Sequence, residues 1–266
     1  MKTLVVLCIF TGAVGTMRAQ NPEPPAPRIP VVTPGDGTVD GNRIPAYDNV
    51  LQMSVEASDG TERMTGRWED QVQLVQIEGK AALRRIQHVR YTNGRGESHI
   101  DEADRKTLRQ FRTSIREEGS PDATTEIRYA GARISGERPF NIGGEGDQYR
   151  MKGVFTLEFP KPVFDWHLWG ILIAGFPLKE GYAAKFLAYA STSQSDALLR
   201  WYSLSVEGRE MVPGGRKGPV ECWIVRVEAE VSQTIWIAVN KDVAPVQQMR
   251  MEGPDGNILW WRPSPG

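Results

Sequence analysis

Eleven consecutive residues, Leu168 to Leu178, carry no charge and no hydrogen-bonding side chain apart from the Trp169 indole. Crossing a bilayer takes roughly 20 such residues, so this run has to be buried within the protein itself. Phe164, Leu168, Ile171 and Leu172 recur at i, i+4, i+7 and i+8, which is one face of a short helix over 164–174. Asp165 can accept hydrogen bonds from the free N–H groups at its start. Gly175 can end it, and Pro177 drives Phe176 out of the helical region. The residues that follow, Tyr182 to Ala190, read as a strand.

Almost every other segment after Tyr47 is patterned for strands. Val72, Leu74 and Ile77 form one short run. Leu83, Ile86, Val89 and Tyr91 form the next, closed by Asn93-Gly94, a strong hairpin signal. Phe111, Thr113 and Ile115 share a face opposite Arg112 and Arg116. Tyr149, Met151, Gly153, Phe155, Leu157 and Phe159 alternate along a longer strand. Five more strands are expected over 198–207, 221–231, 234–239, 246–251 and 257–261, divided by Gly-, Pro- and Asn-rich turns. Seven of the eight tryptophans fall between Trp166 and Trp261, so the larger share of the core is expected there. A lone apolar helix in such a chain predicts a mostly all-β fold of roughly ten strands. Its sheet is a strongly curved antiparallel one, or a half-barrel, with the helix packed in the concave face.

The chain begins with Lys2, an apolar core from Leu4 to Val14 and a small residue at Ala19, the layout of a secretory signal peptide over 1–19. Residues 20–46 contain seven prolines, at 22, 24, 25, 27, 30, 34 and 45, and read as a disordered tether. A single β-rich domain over 47–262 and a short tail over 263–266 complete the expected plan. Export places the protein in the periplasm or outside the cell, with no transmembrane segment in the mature chain. Without Lys2 and Arg18, 30 basic residues face 33 acidic ones, a net charge of −3. That balance lacks the basic excess of a nucleic-acid binder. After export Cys222 is the one remaining thiol, expected as a small buried side chain.

Sequence patterns for catalysis are sparse. His88, His99 and His167 are not spaced with one another or with carboxylates as metal ligands are, so neither metal nor cofactor is expected. His167, two residues after Asp165, reads as a solvent-facing histidine at a helix start. Ser191, Ser193 and Ser195 sit in a polar turn without a nucleophile elbow, and Gly143-Gly144-Glu145-Gly146 lacks the Lys-Ser/Thr of a phosphate loop. Arg105, Lys106, Arg109, Arg112 and Arg116 form a basic stripe that reads as a solvated sheet face.

The C-terminal half carries Phe176-Pro177-Leu178 before Gly181, then Val206-Glu207-Gly208-Arg209-Glu210, Cys222-Trp223-Ile224-Val225, Trp236-Ile237-Ala238 and the strand from Pro245 to Met251. Together with Thr107-Leu108-Arg109, these features resemble an exported bacterial domain-of-unknown-function family over residues 48–262. That family's fold is similar to the periplasmic lipoprotein carriers of the LolA and LolB type. The resemblance implies a hollow that the carriers use for acyl chains, and it brings no functional residues with it. Three readings follow. One is an exported, non-catalytic cell-envelope protein with a lipid or other apolar ligand lined by Trp166, Trp169, Ile171, Leu172, Phe176 and Phe186. The second is a structural module with a filled core that meets an envelope protein. The third, a cryptic hydrolase, needs Asp165, His167 and another polar side chain in one cleft.

Overall fold

The computed structural model describes residues 29–119, 124–142, 149–189, 199–214, 218–229, 231–253 and 255–264; at 139–142 and 149–152 only the backbone is described. The expected signal peptide over 1–19, residues 20–28 of the expected tether, the Ser191–Ser195 turn and the Gly143–Gly146 run lie outside these residues.

One sheet accounts for most of the chain. Its first half consists of β1 (Val31–Val32), β2 (Tyr47–Glu56), β3 (Glu62–Ile77), β4 (Lys80–Tyr91), β5 (Gly96–Asp104), β6 (Gln110–Glu117), β7 (Thr124–Ala130), β8 (Arg133–Ile142) and β9 (Tyr149–Glu158). The second half begins with the two-residue β10 (Phe164–Asp165) and a 3-10 turn over Trp166–Leu168, leading into α1 (Trp169–Gly175). It continues with β11 (Ala183–Tyr189), β12 (Leu199–Pro213), β13 (Pro219–Glu228), β14 (Gln233–Ala238), β15 (Val246–Glu252) and β16 (Ile258–Pro263). The spatial order is β1-β11-β12-β13-β14-β15-β16-β2-β3-β4-β5-β6-β7-β8-β9. Sequence neighbours pair as hairpins, and β16 joins the halves by pairing with β2, Trp261 opposite Met53. Sixteen strands are described rather than about ten. The patterning missed short partners such as β1 and β10, whose two residues carry no period.

The sheet curls without closing. Its ends meet through side chains, Ile127 of β7 and Ile134 of β8 packing with Tyr189 of β11. Across the same seam the Tyr129 hydroxyl donates to the Asp165 carboxylate. The free edge of β11 is covered by two short parallel strands, β1 against Lys185 and Phe186 and β10 against Ala188 and Tyr189. Covering an edge in this way removes a template for pairing with another chain.

The apolar run is buried as its pattern requires, but the helix is shorter than the expected 164–174. Phe164 and Asp165 lie in β10, Trp166–Leu168 form the 3-10 turn that Asp165 caps, and α1 begins at Trp169. Phe164, Leu168, Ile171 and Leu172 are each no more than 2% exposed, on the concave side of the sheet. The Asp165 carboxylate accepts from the His167 N–H at 2.7 Å, and Phe176 leaves the helix in extended backbone. Gly170 permits the closest approach: a Cβ there would lie 2.8 Å from Val246 of β15.

Residues 29–46 differ from the expected tether. Val32, Val39 and Ile44 are buried in the main core. The Asp40 N–H donates to Gly175 O at 2.9 Å, and the Arg43 guanidinium to Phe176 O at 2.8 Å. The segment thus satisfies the open carbonyls at the end of α1. Prolines removed donors from this stretch, but the three aliphatic side chains between them were enough to dock it.

Candidate functional site

On the inner faces of β3 to β6 the period-two positions are unexpectedly polar. Trp68, Asp70 and Val72 face inward on β3, Leu83, Arg85, Gln87 and Val89 on β4, and Glu97, His99 and Asp101 on β5. Cross-strand register then sets Arg85 opposite Asp101, Gln87 opposite His99, and Thr113 of β6 opposite Asp101. A fully buried guanidinium needs compensating partners, and Arg85 has them. It donates to both Asp70 oxygens at 2.7 and 2.9 Å, to His167 O at 2.9 Å, and lies 5.5 Å from the centre of the Trp68 ring. Tyr47 donates a further hydrogen bond to Asp70 at 2.7 Å. This network fastens the start of the helix to the sheet.

His167 is therefore not at the surface, as its sequence position suggested; it is 7% exposed. Its Nδ1 lies 3.0 Å from Nδ1 of His99, so one ring donates and the other accepts. Burial, then His99 and Arg85, push the His167 imidazole well below its usual range. The neighbouring Asp101, which accepts from Thr113 at 2.7 Å, is shifted the opposite way, upward, by burial. The two have opposite linkage to stability. Below pH about 6.5 the unfolded chain protonates His167 and the folded one does not, so its contribution is lost as pH falls toward the folded value. Asp101 favours the folded state below its folded value and costs stability as pH rises from about 3.8 through it. Urea unfolding is expected to show stability falling between about pH 7 and 5.5, by up to about 1.4 kcal/mol per pH unit. His167→Asn, which retains a polar partner for His99, is expected to flatten that decline.

Above this polar floor lies a cleft of roughly 260 Å3. Its walls are Trp68, Trp166, Trp169 and Trp261 with Met53, Met249, Val89 and Tyr91; Gln87, Glu97, His99 and His167 form its polar side. Trp166 and Trp169 belong to a ladder of rings running inward. The centres lie 5.9 Å apart for Trp68–Trp169, 6.1 Å for Trp169–Trp166, 4.0 Å for Trp166–Tyr202 and 5.3 Å for Tyr202–Phe186. Of the six expected lining residues, Trp166 and Trp169 reach the cleft. Ile171, Leu172, Phe176 and Phe186 are fully buried and fill the inner part of the hollow themselves.

Trp68, Trp261 and the His99–His167 pair were missed in the sequence because curvature, not spacing, brings them together. The one available signal was Arg85 and Gln87 falling in phase with Leu83 and Val89. The expected cluster of Asp165 and His167 exists only through the backbone: both Asp165 oxygens are engaged, by the His167 N–H and the Tyr129 hydroxyl. Elsewhere, Arg112 pairs with Glu126 at 2.8 Å and Arg105 donates to Gly41 and Asn42 carbonyls, so both are engaged within the chain. Cys222 is buried beside Val212 and Trp236, its thiol pushed up to about 12. A larger, half-open groove of roughly 730 Å3 runs along the convex side past Asp48, Arg67, Arg90 and Gln247, with Val50, Met64, Val220 and Val243 among its walls.

Among the described residues, no group of three His, Cys, Asp or Glu is arranged to hold a metal ion, and no helix is long and apolar enough to cross a membrane. A family described as "Protein of unknown function (DUF3108)" matches residues 49–258. Among solved structures the fold is similar to a β-barrel-like protein of the domain of unknown function DUF1849 from Brucella abortus. The TM-score is 0.51 at 10% identity, covering 83% of this chain and 96% of the other. No curated protein matches the sequence.

Proposed function

The chain belongs to the DUF3108 family of proteins of unknown function, and from that premise we propose that it is an exported, non-catalytic cell-envelope protein holding the apolar group of a ligand in its concave cleft. The observation that carries this reading is the cleft beside Trp166 and Trp169. Four tryptophans and two methionines line space that the rest of the core does not fill. Interiors ordinarily pack to near-crystalline density, so a persistent opening among large apolar side chains is suited to an apolar guest. Ligand sites for whole small molecules run from about 300 to 1,000 Å3. A cleft of roughly 260 Å3 therefore accepts one group of a larger molecule and leaves the remainder outside.

The polar floor fits a structural role better than a hydrolytic one. The histidine Nδ1 atoms are hydrogen-bonded to each other, and the described walls present no serine, threonine or cysteine. The Thr113 hydroxyl lies beneath, donating to Asp101. The test is titration with dodecyl maltoside below its micellar concentration, followed by tryptophan emission. Saturable one-to-one binding in the micromolar range, about −8 kcal/mol, is expected. A linear, unsaturable response would leave the alternative of a structural module with a filled hollow.

A further inference from the structure

The cleft has a charge preference written into its walls. Among the described residues, Glu97 is the one carboxylate lining it, and no lysine or arginine does so. Glu97 is held loosely: the Tyr91 hydroxyl and His99 Nε2 both approach the same oxygen, Oε1, at 3.5 Å. Directly opposite Glu97 on β6 stands a second acid, Glu117. The nearest buried cation, Arg85, is already held by both oxygens of Asp70. Tyr91, Trp68, Trp166, Trp169 and Trp261 line the same cleft as Glu97. Aromatic faces attract cations through the ring quadrupole, and aromatic cages with a nearby carboxylate are the usual receptors for alkylammonium groups.

Resting on the proposed ligand-binding role, we infer that the cleft recognises an alkylammonium group, the start of its alkyl chain lying against the tryptophan walls as the ligand's apolar group and the positive head beside Glu97. A fatty-acid carboxylate is the wrong sign for this site. The same chemistry is presented by a free alkylamine and by a zwitterionic lipid headgroup, and the geometry at Glu97 accommodates the ammonium of either. The His99 ring beside Glu97 holds its carboxyl below the usual range, which favours the ionised form.

Four probes of one chain length separate the outcomes by tryptophan emission: dodecyltrimethylammonium, dodecylphosphocholine, dodecyl maltoside and dodecyl sulfate, each below its micellar concentration. The cationic probe is expected to bind at least tenfold more tightly than the neutral one, with the sulfate weakest. Glu97→Gln is expected to remove that tenfold advantage of the cationic probe over dodecyl maltoside. Circular dichroism and thermal melting of the variant show that it is folded. Parity of phosphocholine with trimethylammonium identifies a lipid headgroup as the source, and binding of trimethylammonium alone identifies an amine. Equal affinity for all four probes, or a cation preference that survives Glu97→Gln, overturns the inference while the ligand-binding role stands. Failure of all four to saturate removes the ligand-binding role as well.

Discussion

Asp70→Ala is expected to cost about 3–5 kcal/mol of folding stability, among the largest effects of any single substitution in the sheet. The loss does not come from the ion pair as such. A buried pair replaced whole by apolar side chains is often close to neutral, whereas removing one partner strands the other's charge. Here the stranded group is Arg85, which is fully buried and makes both of its carboxylate bonds to Asp70. Tyr47 loses its acceptor in the same step. Denaturant unfolding should therefore show a lower midpoint, and Asp70→Leu combined with Arg85→Met should recover most of the loss. A change below about 1 kcal/mol for Asp70→Ala would mean that the network does not hold the helix start to the sheet.

Phe176→Ala is expected to cost a similar amount, about 3–5 kcal/mol, through the cavity it leaves. The ring is fully buried, 5.6 Å from Phe186 and 6.3 Å from Tyr182, at the junction of α1, β11 and the docked N-terminal segment. Its backbone oxygen also receives Arg43, so that segment and the helix end depend on the same residue. Thermal unfolding should fall by about 6–20 °C for a chain of this size. Because Phe176 does not line the cleft, a folded fraction of this variant should still bind an alkyl probe. Ile171→Asp is a poor test of binding for the same reason. It would put an unpaired charge where exposure is 0%, and report on folding instead.

The helix and its surroundings were legible because they follow local rules. The 3.6 period, the Asp165 cap and Pro177 all act within a few residues of one another. Strand patterning from Tyr47 onward was legible for the same reason, wherever one face was dry. Around Arg85 that rule breaks. The inner-face sequence Leu83, Arg85, Gln87, Val89 mixes charge with aliphatic residues, and Ile86 draws attention to the wrong face. His99 and His167 are 68 residues apart and meet only because the sheet curls around the helix. The docking of residues 29–46 was hidden by composition, since the seven prolines of 20–46 draw a local reading away from the spaced Val32, Val39 and Ile44 that dock it. Of the site itself, Trp166 and Trp169 could be chosen from the apolar run. Trp68 and Trp261, from β3 and β16, could not, because no short-range pattern connects them.

The central claim is that a ligand's apolar group sits in the concave cleft, and not in the larger convex groove. Photolabelling with a dodecyl maltoside analogue carrying a diazirine in its chain, followed by peptide mapping, tests it directly. Labels are predicted at Trp169, Trp261 and Met249, and they should fall as unlabelled dodecyl maltoside is added. Labels confined to Met64, Val220 and Val243 along the convex groove would contradict it.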